Sequence, residues 1–383
     1  MFSVSRLQGK PVFIADIGDG SVGAALVTLG KGAAAEVRNS IRATLPFEDR
    51  APEQSAAAIL QLLETTIGKL MSADSGKKSN PPHALHVILR APWTRFRTTQ
   101  AEESFSEPRA ITKDLIAQLA KKALAAPSEL DRGNISEAGV MQVFLNGYPT
   151  GEPLGKRAKS IGLVAFESDI DAAMKTGIIS VLGKAFPGRT PVIRSGMRAI
   201  LTVMQEHLPD VHRFLLLDIG GSVSSCAIIR KESMTQYGAA PEGLSTILKR
   251  VAPSGLPEET LSMLRMLATD ACSTTACQSL KDSLARAEPD LVRAFGEVFA
   301  KLAATRRLPN AALLSAPAEL TPWLQGFFSR IDFSQFTATT QPLSVETLSP
   351  EHMLDTVHWT PGISPDTGIG ISASSVNILE QSA

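Results

Sequence analysis

Two stretches of this chain share one pattern of apolar and polar positions. An apolar run of strand length ends in Asp-Ile-Gly, a glycine-rich turn follows, and a second apolar run returns. They read IADIGDGSVGAALV at residues 14–27 and LLLDIGGSVSSCAII at residues 215–229. A glycine turn between two apolar runs folds the chain back on itself, so each stretch predicts a β-hairpin.

Helical and strand periods alternate elsewhere. Residues 54–71 carry Ile59, Leu60, Leu63 and Ile67 at helical spacing, and a polar loop, SADSGKKSNPP, follows. ALHVILRAPW reads as a buried strand stopped by Pro92. Ile111, Leu115, Leu119 and Leu124 mark a helix face with Thr112 as its N-cap. Asn146-Gly147 between apolar runs predicts another hairpin, and SIGLVAFES a further strand. DIDAAMKTGIISVLGKAF and residues 196–207 read as helices, residues 244–302 as mainly helical, and AALLSAP as a strand entering a loop. From Ser344 onward the chain is rich in Ser, Thr and Pro and shows no clear period. The alternation places the protein in the α/β class, and the repeated hairpin implies two related halves.

Bulk composition narrows the function classes. A chain of 383 residues has room for two or more domains, and 38 basic against 38 acidic residues cancel. That balance argues against a strong electrostatic grip on nucleic acid or anionic lipid. No apolar run approaches the roughly 18 residues that span a bilayer, and MFSVSRLQGK lacks the apolar core of a signal peptide. Cys226, Cys272 and Cys277 form no CxxC pair and read as reduced thiols, the last two as small buried residues. The basic run GKRAKS reads as a solvated turn.

A strand-end Asp followed by bare backbone suits phosphate chemistry. Glycine lets amides approach anionic oxygens, and the carboxylate is placed to hold hydrated Mg²⁺. Two such hairpins facing across a cleft would grip a triphosphate from both sides. Read alone, each hairpin is equally a tight turn with a solvated acid.

DIGDGSVGAALV and LLLDIGGSVSSCAII resemble the two phosphate motifs of the actin, hexokinase and heat-shock-chaperone superfamily. Between them, HVILRAPWTRFRTTQ, RAITKDLIAQLAKKAL and VFLNGYPTGEPLGKRAKSIGLVAF resemble the small inserted domain of the FtsA/PilM family. The most specific part is the hairpin of Asn146-Gly147-Tyr148 and Glu152-Pro153-Leu154-Gly155. The resemblance implies an actin-like, ribonuclease H-like duplicated fold, with two halves around a cleft and an inserted α+β domain. It divides the chain into a first half at 1–97, an inserted domain at 98–186 and a second half at 187–345. Residues 241–308 form a helical subdomain of that second half, and the tail at 346–383 packs back on the first.

The resemblance also implies ATP and Mg²⁺ as cofactors. Asp16, Gly18, Asp19, Gly20 and Ser21 would contact the nucleotide from the first hairpin, and Asp218, Gly220, Gly221, Ser222 and Ser224 from the second. Ser315 would lie on the adenosine side, and Asp16 and Asp218 would hold the metal. Departures from the family pattern point to a degenerate cleft. Gly23 stands at the phosphate-contacting Lys position, and Ser222-Val223-Ser224-Ser225 lacks the acid of the second motif. Only Ser195 or Gly196 is available to orient a water, and Ser315-Ala316-Pro317 replaces the adenosine glycines. Two lost charge-assisted contacts remove about 3–6 kcal/mol, enough to move a micromolar site to about millimolar. No catalytic residue is assigned.

The expected role is a cytoplasmic scaffold held at the inner membrane by a small membrane partner, which docks a short peptide in a groove beside the inserted domain. It resembles the PilM-type part of a type IV pilus assembly platform. The alternatives are an FtsA-like division protein with a division-ring partner, self-association included, and an ATP-dependent kinase or ATPase of the same superfamily.

Overall fold

The computed structural model describes residues 9–48, 50–74, 81–207, 213–230, 233–252, 255–269, 275–304 and 306–381. In the first half, β1 (Pro11–Ile17), β2 (Ser21–Thr28) and β3 (Ala35–Thr44) form an antiparallel meander, followed by α1 (Pro52–Asp74) and β4 (Leu85–Leu89). An inserted unit follows: β5 (Thr94–Ala110), α2 (Lys113–Leu124), β6 (Ile135–Leu145), β7 (Tyr148–Thr150) and β8 (Arg157–Ile170). The chain then returns through α3 (Ala172–Ala185), β9 (Pro191–Ser195) and α4 (Gly196–His207).

The second half repeats this plan. It contains β10 (Arg213–Ile219), β11 (Ser224–Arg230), β12 (Ser233–Ala240), α5 (Leu244–Val251), α6 (Pro257–Ala268), α7 (Thr275–Ala303), β13 (Ala311–Ser315), α8 (Thr321–Arg330) and β14 (Ser344–Thr347). Last come β15 (Val357–Trp359) and α9 (Thr367–Gln381). The first sheet runs β15-β3-β2-β1-β4-β9 and the second β12-β11-β10-β13-β14. Apart from β15 the two orders coincide: an antiparallel meander, then two parallel strands. The duplication signalled by the hairpins extends to the whole sheet.

Strands buried on both faces need covers on both faces. The inner faces share one core, in which Val12, Ile14 and Val27 of the first sheet and Leu216, Ala227 and Ile229 of the second pack around α4 and α9. The outer face of the first sheet packs on α1 and α3 through Phe13, Leu63, Met174 and Ile178. The outer face of the second packs on the helical subdomain and on α8 through Leu217, Phe295 and Phe328.

The inserted sheet, β5-β8-β6-β7, carries its own small core against α2. Thr112 caps α2 by accepting from the Leu115 amide at 3.2 Å. Asn146 and Gly147 turn the β6–β7 hairpin with φ of 53° and 84°, left-handed values that Asn and Gly tolerate. Ion pairs Arg97–Glu167 and Arg95–Asp169 link β5 to β8, and Glu137 of β6 accepts from the Ser195 amide at 3.0 Å and pairs with Arg198.

The inserted sheet ends at Ile170, and the helix that follows, which the 98–186 boundary assigns to the inserted domain, packs Met174, Ile178, Val181 and Leu182 into the first half's outer core. The Ser/Thr/Pro-rich tail, expected to pack back on the first half, contains β15, which pairs parallel with β3, and α9, whose residues Ile369 to Asn377 are all buried. A helix buried all round has no polar face, so its sequence shows no amphipathic period. Cys226 is a free buried thiol, pushed up to about 12 by burial and then by Asp218, whereas Cys277 is disulfide-bonded and Cys272 lies outside the described residues. A disulfide requires Cα atoms within about 7 Å, which sequence spacing alone does not report. Among the described residues, no helix is long and apolar enough to cross a membrane.

Candidate functional site

The two glycine turns meet. Gly18 donates to the Ser21 carbonyl and Gly220 to the Val223 carbonyl, both at 3.0 Å, so the turns have the same internal geometry. They touch edge to edge: a Cβ on Gly20 would lie 3.1 Å from the Gly221 Cα, and one on Gly221 would lie 2.7 Å from the Gly20 nitrogen. Any side chain at either position would push the turns apart. The motif glycines serve this contact.

Asp19 spans the junction. Its Oδ1 accepts from the Gly221 amide at 2.6 Å, and its Oδ2 accepts from the Ser222 amide at 2.7 Å and from the Ser222 hydroxyl at 2.5 Å. The chain itself thus places an anion against the backbone amides that would cradle a phosphate.

Beneath the turns lies an arginine network. Asp16 ends β1 and is 2% exposed. Its Oδ1 accepts from Arg90 Nε at 2.8 Å and its Oδ2 from Arg42 Nη2 at 2.7 Å. Burial opposes its ionisation, but Arg90 and then Arg42 outweigh that and hold the carboxyl below the usual carboxylate range. Arg90 also reaches Asp218 at the end of β10, with Nη1 at 3.1 and 3.3 Å from its two oxygens. Burial likewise works against the charge on Arg90, and the two aspartates reverse it, raising its pKa. One guanidinium therefore joins the two halves.

Arg42 completes the arrangement. It stands opposite Gly23 in the β2–β3 register. Its guanidinium fills the space beside Gly23, where a Cβ would lie 2.8 Å from Arg42 Nη2. Its Nη1 donates to Ser21 Oγ at 3.0 Å, and Nε and Nη2 grip Asp366, just before α9, at 2.6 and 2.8 Å. Gly368 permits this approach, since a Cβ there would lie 2.2 Å from Asp16 Oδ2.

The remaining motif residues are spread around this centre. Ser224 is fully buried and donates to the Glu242 carbonyl, away from the junction. Ser315 ends β13 in register with Asp218. Ser195 is buried, with no hydrogen-bond partner at its hydroxyl. Ser195, Asp218, Arg90, Ser225 and Tyr237 help line a cavity of about 10 Å³, room for about one water molecule.

These groups do not fit Mg²⁺ and a nucleotide as they stand. Both oxygens of Asp16 and both of Asp218 face arginine, and the amides at 221 and 222 are taken by Asp19. Among the described residues there is no cluster of three or more His, Cys, Asp or Glu able to hold a metal. Arg42 and Asp366 lie outside the sequence motifs, and Arg90 lies within HVILRAPWTRFRTTQ but is not among the candidate site residues. The only hints were an Arg directly after a buried strand and an Asp preceding an apolar run.

No family model matches the chain, and no curated protein matches its sequence. Among solved structures, a chain of a PilM–PilN type IV pilus biogenesis complex is similar, with a TM-score of 0.56 at 14% identity, covering 97% of this chain and 98% of that one. The ethanolamine utilization protein EutJ from Carboxydothermus hydrogenoformans gives a TM-score of 0.45 at 12% identity, with 98% and 92% covered. A Bacteroides thetaiotaomicron protein of actin-like ATPase fold and unknown function gives 0.37 at 6% identity, with 98% and 99% covered.

Proposed function

We propose that this chain, actin-like in fold, is a scaffold subunit of a membrane-associated assembly platform and does not run on nucleotide turnover. It would work in the cytoplasm and reach the inner membrane through a small membrane partner, in the role that the PilM–PilN complex suggests. The observation that carries this reading is the likeness to that complex over 97% of the chain, inserted domain included.

The cleft supports the same reading from a different direction. A hydrated Mg²⁺ would have to displace Arg90 from both aspartates, and breaking a buried ion pair costs about 3–5 kcal/mol. That is a large share of what a nucleotide could return. An open hollow of about 560 Å³ on the inserted domain, lined in part by Phe105, Pro108, Arg109 and Arg157, is the surface we assign to the partner's cytoplasmic tail.

Two measurements test the proposal. Immobilised full-length protein should capture peptides from the cytoplasmic tails of small inner-membrane proteins encoded beside it, and Arg109→Glu should weaken that capture. No capture by a folded protein counts against the scaffold role. In thermal unfolding, about 5 mM ATP with Mg²⁺ should leave the midpoint in place, whereas a site of about 0.1 mM affinity would add about 2.3 kcal/mol. A clear upward shift would overturn the nucleotide-independent reading.

A further inference from the structure

The second hairpin has the parts of an anion site. Two consecutive amides, Gly221 and Ser222, converge with the Ser222 hydroxyl on one point. Successive backbone N–H groups aimed at one concavity form a nest that favours negative charge. The loop is held in that shape from behind, because the Gly220 and Gly221 carbonyls accept from the Leu244 and Ser245 amides of α5 at 2.9 and 2.8 Å. The point is occupied by the Asp19 carboxylate. Since Gly20 and Gly221 are in contact, Asp19 has little alternative to this seat when the turns are apposed.

A second substitution of the same kind lies below. Arg90 sits between Asp16 and Asp218, where it balances two strand-end carboxylates from opposite halves. The junction therefore contains its own anion and its own cation, in the arrangement of a ligand bound between two lobes.

We propose that Asp19 is a built-in ligand. It fills the anion site of the second hairpin and, with Arg90, latches the two halves closed without any bound molecule. The site is selective for small oxyanions and becomes available to them when the Asp19 carboxylate is removed. This inference rests on the junction alone and stands or falls independently of the scaffold role.

Hydrogen exchange on the full chain tests the latch. In Asp19→Ala, the amides of Gly221 and Ser222 should exchange at least about tenfold faster than in the unsubstituted protein, since charge-assisted contacts are among the stronger ones. Formate matches the deleted carboxylate in size and charge. At about 100 mM, against a chloride control of equal ionic strength, it should restore protection in the variant and change nothing in the unsubstituted protein. Unchanged exchange in a folded Asp19→Ala protein would overturn the proposal. So would absence of formate rescue, or equal protection of the unsubstituted protein by formate or inorganic phosphate, which would mean the cradle is already open. Should Asp19→Ala fail to fold, Asp19→Asn keeps the shape and one acceptor but loses the charge. It should show intermediate exchange at the two amides, and exchange equal to that of the unsubstituted protein would count as refutation.

Discussion

The two hairpins began from one pattern and now hold opposite roles. In the first, the strand-end Asp16 is buried between two arginines, and the turn projects a carboxylate, Asp19, beyond its own half. In the second, Asp218 meets Arg90 alone among the described arginines, and the turn offers amides. One copy gives the anion and the other receives it. The neighbouring strands have diverged in the same sense: Arg42 stands opposite Gly23 in the first half, while Ala239 stands opposite Ser225 in the second. The repeated plan gives two equivalent surfaces, and the residues that differ between the halves make them complementary.

The largest effect should come from the residue both halves share. Arg90→Ala leaves Asp16 buried with one cation and Asp218 with none, and should cost about 3–5 kcal/mol in urea unfolding. A loss below about 1 kcal/mol would mean that the halves are held together elsewhere. Arg42→Ala touches only the first half and its tail. It should cost about 1.5–3 kcal/mol and speed exchange in α9 while leaving the second hairpin's amides protected.

Acid should separate the halves next. His86 on β4 pairs in register with Ile14, and the matching position beside Leu216 in the second half is Leu313. His86 is 1% exposed, its Nδ1 lies 3.0 Å from Arg194 Nη1, and burial, aided by Arg194, pushes its pKa down to about 3. The unfolded chain takes up this proton near pH 6.5, whereas the folded chain refuses it until about pH 3. Stability should therefore rise with pH across that window, with a slope of up to about 1.4 kcal/mol per pH unit from this residue. His86→Leu, which copies the second half, should remove that slope, and an unchanged slope would show that other groups set it. The smallest effect should be Gly147→Ala, which places a side chain at φ 84° in the inserted domain. It should cost about 1 kcal/mol and leave exchange at the hairpin junction unaltered.

How much of this was readable follows from what each residue depends on. The hairpins, the helix around Leu63, the Thr112 cap and the Asn146-Gly147 turn are local, and their signals lie within a few residues of the feature. Asp16, Asp19 and Asp218 stand out in the sequence as nucleotide and metal contacts, and the structure brings all three to the junction, where they meet arginines and backbone amides. What they meet was not readable. Arg42 comes from the adjacent strand, Arg90 from past the end of a parallel strand, and Asp366 from the far end of the fold. No spacing rule connects them. α9 was missed for the opposite reason, because burial on every side erased the polar face on which a helical period depends.

The position of α9 also governs how the molecule can be assembled. This helix packs on β1, β2 and β3 and on α4 in the shared core, so the first-made sheet receives one of its covers from the last-made described helix. Loop closure over so much chain is slow relative to local folding. During synthesis at about 5–20 residues per second, Val12, Ile14 and Val27 lack the α9 part of their cover while the whole second half is made. The first half therefore lacks a complete core until α9 has been made.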